Sequence, residues 1–296
     1  MWGPQIHRAH PVEKSEKTTV KPLGSRDHKG VMSGSRERAS SLTVSGPMAP
    51  HPTAFLTRAL RVARTEIAAV AALLVLALGT LTFIEVADDM READGQAFDQ
   101  SVLQAVRPFA DDPSRPWGPW WLHEAAADLT SLGGISVLTL FALVALGFLL
   151  IQGKRLSALL LVFGLAGGVA LSEGLKALFE RERPPLEFQA VETLNASFPS
   201  GHALLSTVFY LTLGVMLTRA FPRKRLKAYV LGCAVLIALL IGLTRIYLGA
   251  HWASDVFAGW SVGAAWAMTL WLAAYAVERR QRLHHAPLQD APSTNV

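Results

Sequence analysis

Six stretches of the chain are apolar and free of charged side chains, and they alternate with segments rich in charge. Each is 17 to 25 residues long, close to the ~20 residues that a helix needs to cross a bilayer. Core helices of a soluble protein are the alternative, but they are usually shorter than this. The pattern therefore predicts an all-α, polytopic membrane protein with six transmembrane helices: Ile67–Ile84, Leu129–Gly153, Leu156–Ser172, Pro199–Thr218, Ala228–Thr244 and Val256–Val277.

The polar ends of the chain differ from this apolar body. Residues 1–55 are rich in Ser, Pro, Gly, His and Lys without an apolar period, which is typical of a disordered tail. The first 65 residues carry eleven basic and four acidic side chains, a charge of +7, so the other 231 residues sum to −2 and the whole chain to +5. We predict a basic cytoplasmic tail (1–55), a six-helix membrane domain (56–280) and a short cytoplasmic C-terminal tail (281–296). No fold signature for nucleic-acid binding accompanies the basic tail.

Charge placement predicts the orientation of the helices. Lys and Arg lie before the first stretch and in alternate connections after it, and such segments face the cytoplasm. Both termini are then cytoplasmic. The segments at about 173–199 and 245–255 face the exterior, as does Asp88–Asp128, which has nine acidic residues against three arginines. The single cysteine, Cys233, excludes an intramolecular disulfide and a cysteine-based zinc cluster.

The first external segment carries two cations near a predicted helix end. Lys176 and Arg183 are seven residues apart, which places them on one face if the helix runs up to Pro184. Cations also suit helix C-termini and membrane boundaries without any ligand. Taken alone, the pair does not identify a binding site.

The second candidate element begins the fourth apolar stretch. Ser200, Gly201 and His202 follow a proline at a predicted helix N-terminus, where free N–H groups attract anions. An ordinary capped helix with a buried histidine is an equally good interpretation of this segment alone.

The third element joins the fifth and sixth stretches. It contains Arg245, His251 and Asp255. His251 and Asp255 are four apart and would face each other on a helix. A carboxylate beside an imidazole fixes its tautomer and supports it as a base or nucleophile, although a local capping pair would have the same spacing.

Together the three elements indicate a phosphate site, because the predicted topology brings them to one membrane face. Three cations and a helix N-terminus match a multivalent anion. The same cations would repel zinc from the two histidines and the aspartate, so no metal and no cofactor are expected. A serine hydrolase centred on Ser200 is disfavoured, because no Gly-x-Ser-x-Gly elbow surrounds it.

The ordered motifs Lys-x6-Arg-Pro, Pro-Ser-Gly-His and Thr-Arg-x5-His-x3-Asp resemble the signature of the type 2 phosphatidic acid phosphatase family. This family belongs to the lipid phosphatase and vanadium haloperoxidase-like superfamily. The resemblance covers roughly residues 65–277, and Thr244 departs from the usual serine. It implies a metal-independent lipid phosphatase with His251 as nucleophile, Asp255 as its partner and His202 as general acid. It also implies that the phosphoryl group is bound by Lys176, Arg183, Arg245, Ser200 and Gly201.

The resemblance also bears on substrate and location. A phosphate site at bilayer depth suits a lipid phosphate, and abundant Ala, Leu, Arg and Trp suggest a high-GC bacterial genome. We therefore expect a multi-pass protein of the bacterial inner (cell) membrane, and the charge placement puts its site on the periplasmic or exterior face. We expect undecaprenyl diphosphate first. Phosphatidylglycerophosphate, phosphatidate and lipid A phosphates are alternatives, as is a lipid phosphotransferase. A non-catalytic lipid-phosphate binder or transporter would leave both histidines and the aspartate without a role. The oligomeric state is left open.

Overall fold

A computed structural model describes the backbone of residues 52–109, 111–190 and 195–285, with side chains from residue 66 to residue 281. The described chain is helical and contains no β-strand. A single 3₁₀ turn at Leu186–Phe188 interrupts the longest connection between helices. The α-helices are α1 (Pro52–Asp89), α2 (Ala93–Val106), α3 (Trp120–Ser131), α4 (Ile135–Ile151), α5 (Arg155–Phe179), α6 (Gly201–Thr218), α7 (Lys224–Tyr247) and α8 (Ala253–His285).

Five of the helices, α1 and α5 to α8, are long and apolar enough to cross a membrane. The second predicted span is instead built from α3 and α4, which bend by 49° at a short break and make a sixth crossing when taken as one span. The break coincides with Gly133 and Gly134, because glycine weakens a helix interior. The prediction of an all-helical, multi-pass membrane protein is confirmed, with the second span broken rather than continuous.

The predicted tails lie almost wholly outside the described residues, so the division into domains stays a prediction. The described helices reach a few residues into both predicted tails, since α1 begins at Pro52 and α8 continues to His285. Helices can extend past their apolar stretches in this way because Arg, Gln and Glu have helix propensities close to that of Leu.

Helix α6 is the most enclosed of the five single-helix spans. It packs mainly against α7 and α8, while α1 runs along α8. The contact between α6 and α8 is close because Gly259 faces α6 without a side chain. A Cβ at that position would lie 2.7 Å from the carbonyl oxygen of Ser200. The start of α6 is thereby fixed against α8.

An aromatic cluster fixes the site end of the bundle. The rings of Phe83 on α1, Phe179 at the end of α5 and Phe198 before α6 lie with centroids 4.9 to 6.2 Å apart. Phe198 is completely buried. The cluster joins the first helix to the two segments that carry the first two motifs.

Candidate active site

The first motif is split between a helix and the chain that follows it. Helix α5 ends at Phe179, and Glu180 adopts a left-handed conformation with φ 44°, a common way to terminate a helix. The prediction that Lys176 and Arg183 share one helical face is therefore wrong. Lys176 lies on the last turn of α5, and Arg183 reaches the site from the segment beyond it.

Arg183 is held in place by the loops around it. Its Nε and Nη2 donate to the backbone and side-chain oxygens of Asn195, each at 2.7 Å, and its Nη1 donates to the carbonyl of Ala250 at 2.7 Å. Burial lowers the pKa of its guanidinium, and Asp255 partly offsets that effect. Because arginine has so high an intrinsic pKa, the side chain stays cationic at neutral pH.

His251 lies between this guanidinium and a carboxylate. Its Nε2 is 3.2 Å from Nη1 of Arg183, and its Nδ1 is 3.3 Å from Oδ2 of Asp255. A guanidinium only donates hydrogen bonds, so we assign Nε2 as the acceptor and Nδ1 as the protonated nitrogen. The lone pair of Nε2 therefore points toward the cation that the sequence assigned to phosphate binding.

The pKa of the His251 imidazole is lowered to about 4. Burial is the largest cause, since the residue is only 3% exposed. Asp255 raises the pKa in part, and the charges of Arg183 and Arg245 lower it further. The imidazole is thus neutral at physiological pH, as a nucleophile must be.

Asp255 is completely buried and fully hydrogen-bonded. Oδ2 accepts from the Ser197 hydroxyl and from the backbone N–H of Trp252, the latter at 2.9 Å. Oδ1 accepts from Nη1 of Arg181 at 2.6 Å. The expected pairing with His251 is present, but it does not arise from two facing positions on a helix, because α8 begins only at Ala253. Asp255 caps the start of that helix instead.

The second motif forms the N-terminus of α6, as the sequence predicts. Ser200 precedes the helix, is completely buried, and donates its backbone N–H to the carbonyl of Asp255 at 2.9 Å. A Cβ at Gly201 would lie 3.3 Å from Oγ of Ser172 and 3.5 Å from Nζ of Lys176. The missing side chain therefore leaves space beside the lysine and next to the helix N-terminus, where an anion is favoured.

Arg245 lies on the last turn of α7 and is 3% exposed. Its Nη1 donates to Oγ1 of Thr130 on α3 at 3.1 Å, and its Nε has no partner among the described residues. The neighbouring Thr244 bonds to the carbonyl of Ile241 within its own helix. A serine could make that bond as well, so the departure from the family pattern leaves the site unchanged.

The predicted residues converge at one end of the bundle. The charges of Arg245, Lys176 and Arg183 lie close enough to act on the His202 side chain, and the His251 ring is among its neighbours. Ser200 bonds to Asp255, Gly201 lies beside Lys176, and Asp255 bonds to His251, so these three positions belong to the same cluster. The opposite end is marked by the ion pair of Arg219 and Glu278, at 2.7 Å. The structure thus brings together all eight side chains and backbone positions that the sequence selected, while their individual roles stay predictions.

Three hydroxyl residues of the site were not assigned a role from the sequence. Ser197 bonds to Asp255, and Thr130 bonds to Arg245. Ser172 is 2% exposed, and its Oγ has no partner among the described residues. One signal was available for Ser172, because it lies four residues before Lys176 and so shares its helical face. Thr130 gives no such signal, because its contact depends on tertiary packing.

Comparisons with known proteins agree with this geometry. Residues 157–279 match the PAP2 superfamily. Phosphatidylglycerophosphatase B of Bacillus subtilis is 32% identical over 145 residues, which cover 48% of this chain and 70% of that protein. The chain belongs to the PAP2 superfamily. It is a membrane lipid phosphatase of the PAP2 type.

Two further relatives of this PAP2 phosphatase are informative. The crystal structure of a PAP2-type phosphatidylglycerolphosphate phosphatase from Bacillus subtilis superimposes with a TM-score of 0.63 at 25% identity, covering 69% of this chain and 98% of that one. An undecaprenyl-diphosphatase of Sulfolobus acidocaldarius is 31% identical over 121 residues, which cover 39% of this chain and 54% of that protein. The resemblance inferred from the motifs is confirmed.

Proposed function

We propose that this PAP2 phosphatase hydrolyses a phosphate ester of a membrane lipid through a phosphohistidine at His251. One observation carries the proposal: the Nε2 lone pair of His251 faces Arg183, while Nδ1–H is held by a fully bonded Asp255. This is the arrangement of a nucleophile poised beside an anion-binding cation. A binding protein would need the cations but not the buried His–Asp pair.

The first step is in-line attack of Nε2 on phosphorus. An N–P bond forms as the P–O bond to the lipid breaks, and His202 transfers a proton to the departing oxygen. His202 then takes a proton from water, whose oxygen attacks phosphorus and releases inorganic phosphate and free His251. Lys176, Arg183 and Arg245 stabilise the charge on the equatorial oxygens, which is the main need of phosphoryl transfer.

Protein groups alone can supply this charge stabilisation. In the part of the chain that the structure describes, no group of three or more His, Cys, Asp or Glu side chains could hold a metal ion. Independence from metal therefore stays a prediction with a direct test in EDTA.

The relatives guide the choice of lipid. Phosphatidylglycerophosphate is the substrate named for the Bacillus subtilis relative and for the superimposed crystal structure. This phosphate monoester therefore becomes the first candidate. The undecaprenyl diphosphate expected from the sequence is the second candidate, supported by the other relative. Both place a phosphate or diphosphate at the surface of a bilayer, where the site end of the helices lies.

The proposed orientation follows from charge. The basic connections Lys154–Arg155 and Arg219–Lys227 lie at the end of the bundle opposite the site. Basic loops stay in the cytoplasm, so the site faces the periplasm or exterior and both termini are cytoplasmic.

The function is tested with the full chain purified in detergent with EDTA. Phosphate release is measured from phosphatidylglycerophosphate, undecaprenyl diphosphate, phosphatidate and lipid A. The expected result is turnover of at least one of them that His251→Ala abolishes, with an acid-labile, base-stable phosphoenzyme in the wild type. Turnover that depends strictly on added metal, or that survives in His251→Ala, would contradict the mechanism.

The same assay separates the alternatives. A phosphotransferase would move labelled phosphate to an acceptor lipid instead of releasing it as inorganic phosphate. A non-catalytic binder would retain lipid phosphate without forming a phosphoenzyme.

A further inference from the structure

A buried carboxylate from outside the PAP2 match lies next to the site. Asp99 on α2 is 1% exposed. Its Oδ1 accepts from the backbone N–H of Ser254 at 2.9 Å, and its Oδ2 accepts from the Ser254 hydroxyl at 2.5 Å. Asp99 therefore binds the first turn of α8, one residue before Asp255.

Arg181 connects this carboxylate to the one that supports His251. Its Nη2 donates to Oδ2 of Asp99 and its Nη1 to Oδ1 of Asp255, both at 2.6 Å. Its guanidinium also lies over the ring of Trp252, with 5.8 Å between Cζ and the ring centroid. One planar guanidinium thus bridges two buried carboxylates, a geometry that a lysine cannot reproduce.

We propose that Asp99 and Arg181 are positioning residues for the nucleophile: they fix the orientation of the Asp255 carboxylate and, through it, of the His251 ring. The proposal rests on the proposed function, in which His251 attacks phosphorus. Arg181 bonds to Asp255 and Asp99 bonds to Arg181, so both residues reach His251 through Asp255.

The geometry explains why such support is needed. One oxygen of the Asp255 carboxylate, Oδ2, faces His251. It accepts hydrogen bonds from the Ser197 hydroxyl and the Trp252 N–H as well as from His251. Arg181 and its partner Asp99 control the other oxygen. Without the bond to Oδ1 the carboxylate can rotate about its Cβ–Cγ bond and misalign the imidazole, and small misplacements of a reacting group cost large factors in rate.

The charges point the same way. Two carboxylates and one guanidinium leave a net charge of −1 behind the imidazole. Attack by Nε2 with Nδ1 protonated gives a cationic phosphoimidazolium, which that negative charge stabilises. Asp99 thus keeps Arg181 from neutralising Asp255 completely.

A structural role alone would have different consequences. Removing one partner of a buried ion pair leaves an uncompensated charge and is destabilising, so a merely structural Asp99 would alter the yield of folded protein without altering the turnover of the folded fraction. A positioning role predicts a loss in kcat with little change in KM, because the phosphate-binding cations stay in place.

The experiment compares Asp99→Asn and Arg181→Lys in the full chain in detergent, using the lipid phosphate that the panel identifies. The matched controls are Asp94→Asn, an exposed position on the same helix, and Arg219→Lys, at the opposite end of the bundle. Each test variant should lose about 100-fold in kcat while KM stays within about twofold and the controls match the wild type. Because both residues act through one carboxylate, the double variant should lose little more than the worse single variant.

The proposal is overturned if the two test variants keep kcat within about twofold of their controls. It is also overturned if activity falls only in proportion to folded protein, measured by thermal unfolding. Asp99→Asn keeps both the shape of the side chain and an acceptor for the Ser254 N–H, so it tests the idea even if Arg181→Lys fails to fold. Normal turnover in His251→Ala would instead contradict the proposed function itself. Failure of the positioning role and failure of the proposed function can therefore be told apart.

Discussion

Lys176 donates a hydrogen bond from Nζ to Oε1 of Glu173 at 3.1 Å, so a predicted phosphate-binding cation is paired with a carboxylate. The lysine side chain is 10% exposed and that of the glutamate is 60% exposed. A phosphoryl group that enters beside Gly201 must compete with this carboxylate for the ammonium group.

Glu173→Gln should therefore strengthen substrate binding. An ion pair with one partner at the surface contributes about 0.5 to 1 kcal/mol, so KM should fall by roughly twofold to fivefold while kcat is unchanged. Steady-state kinetics on the lipid phosphate measures this. The control is Glu85→Gln, an exposed position on α1 near the end of the bundle that carries the site. An increase in KM would mean that Glu173 orients the lysine rather than competing for it.

As the proposed nucleophile, His251 should set the acidic limit of activity through its lowered pKa. The nucleophile is lost when the imidazole becomes protonated, and its pKa is about 4 against an ordinary 6.5. The acidic limb of kcat/KM should thus have its midpoint nearer pH 4 than pH 6.5. The second ionisation of a phosphomonoester lies near pH ~6, and the terminal phosphate of a diphosphate ester ionises in the same region, so the imidazole should also be titrated in the substrate-free protein by NMR of its ring nitrogens. A His251 ring that titrates near its ordinary value of 6.5 without substrate would contradict the assignment.

Ser172→Ala should lower activity and raise stability together. If this buried hydroxyl, which has no partner among the described residues, donates to a phosphoryl oxygen, removing it should reduce kcat/KM by roughly tenfold. The unbound protein should gain up to ~1 kcal/mol of unfolding free energy, because an unsatisfied buried group is removed. Kinetics and thermal unfolding check the two effects. Ser157→Ala, at the other end of α5, should change neither; unchanged activity in Ser172→Ala would place its hydroxyl outside the phosphate site.

The break between α3 and α4 lies against the predicted general acid. A Cβ at Gly134 would be 3.9 Å from Nε2 of His202 and 3.1 Å from the carbonyl oxygen of Ser131. Gly134→Ala should narrow the space for the leaving oxygen and lower kcat by about tenfold. Gly147→Ala on α4, where a Cβ meets nothing within 4 Å, is the matched control. If the two variants have equal kcat and KM, the departing lipid oxygen does not lie beside the break between α3 and α4.

The sequence predicted the elements that depend on local pattern and composition. Apolar length gave the membrane spans, and the three motifs gave Lys176, His202 and Asp255 as neighbours. It wrongly placed Arg183 on the same helix as Lys176, because the left-handed turn at Glu180, which ends α5, depends on how the following chain packs. It did not reveal Asp99 or Thr130, because each meets its partner across more than 80 residues, and nothing in their own neighbourhood marks them as parts of the site.

The bond between Thr130 and Arg245 joins the segment shared across the superfamily to the part of the chain that precedes it. A chimera that transplants residues 157–279 into a relative would cut this bond and keep every motif. Such a chimera would contain the predicted reacting groups but lack the α3 residue that holds Arg245 in position. Exchange of parts between these enzymes should therefore include the first three helices.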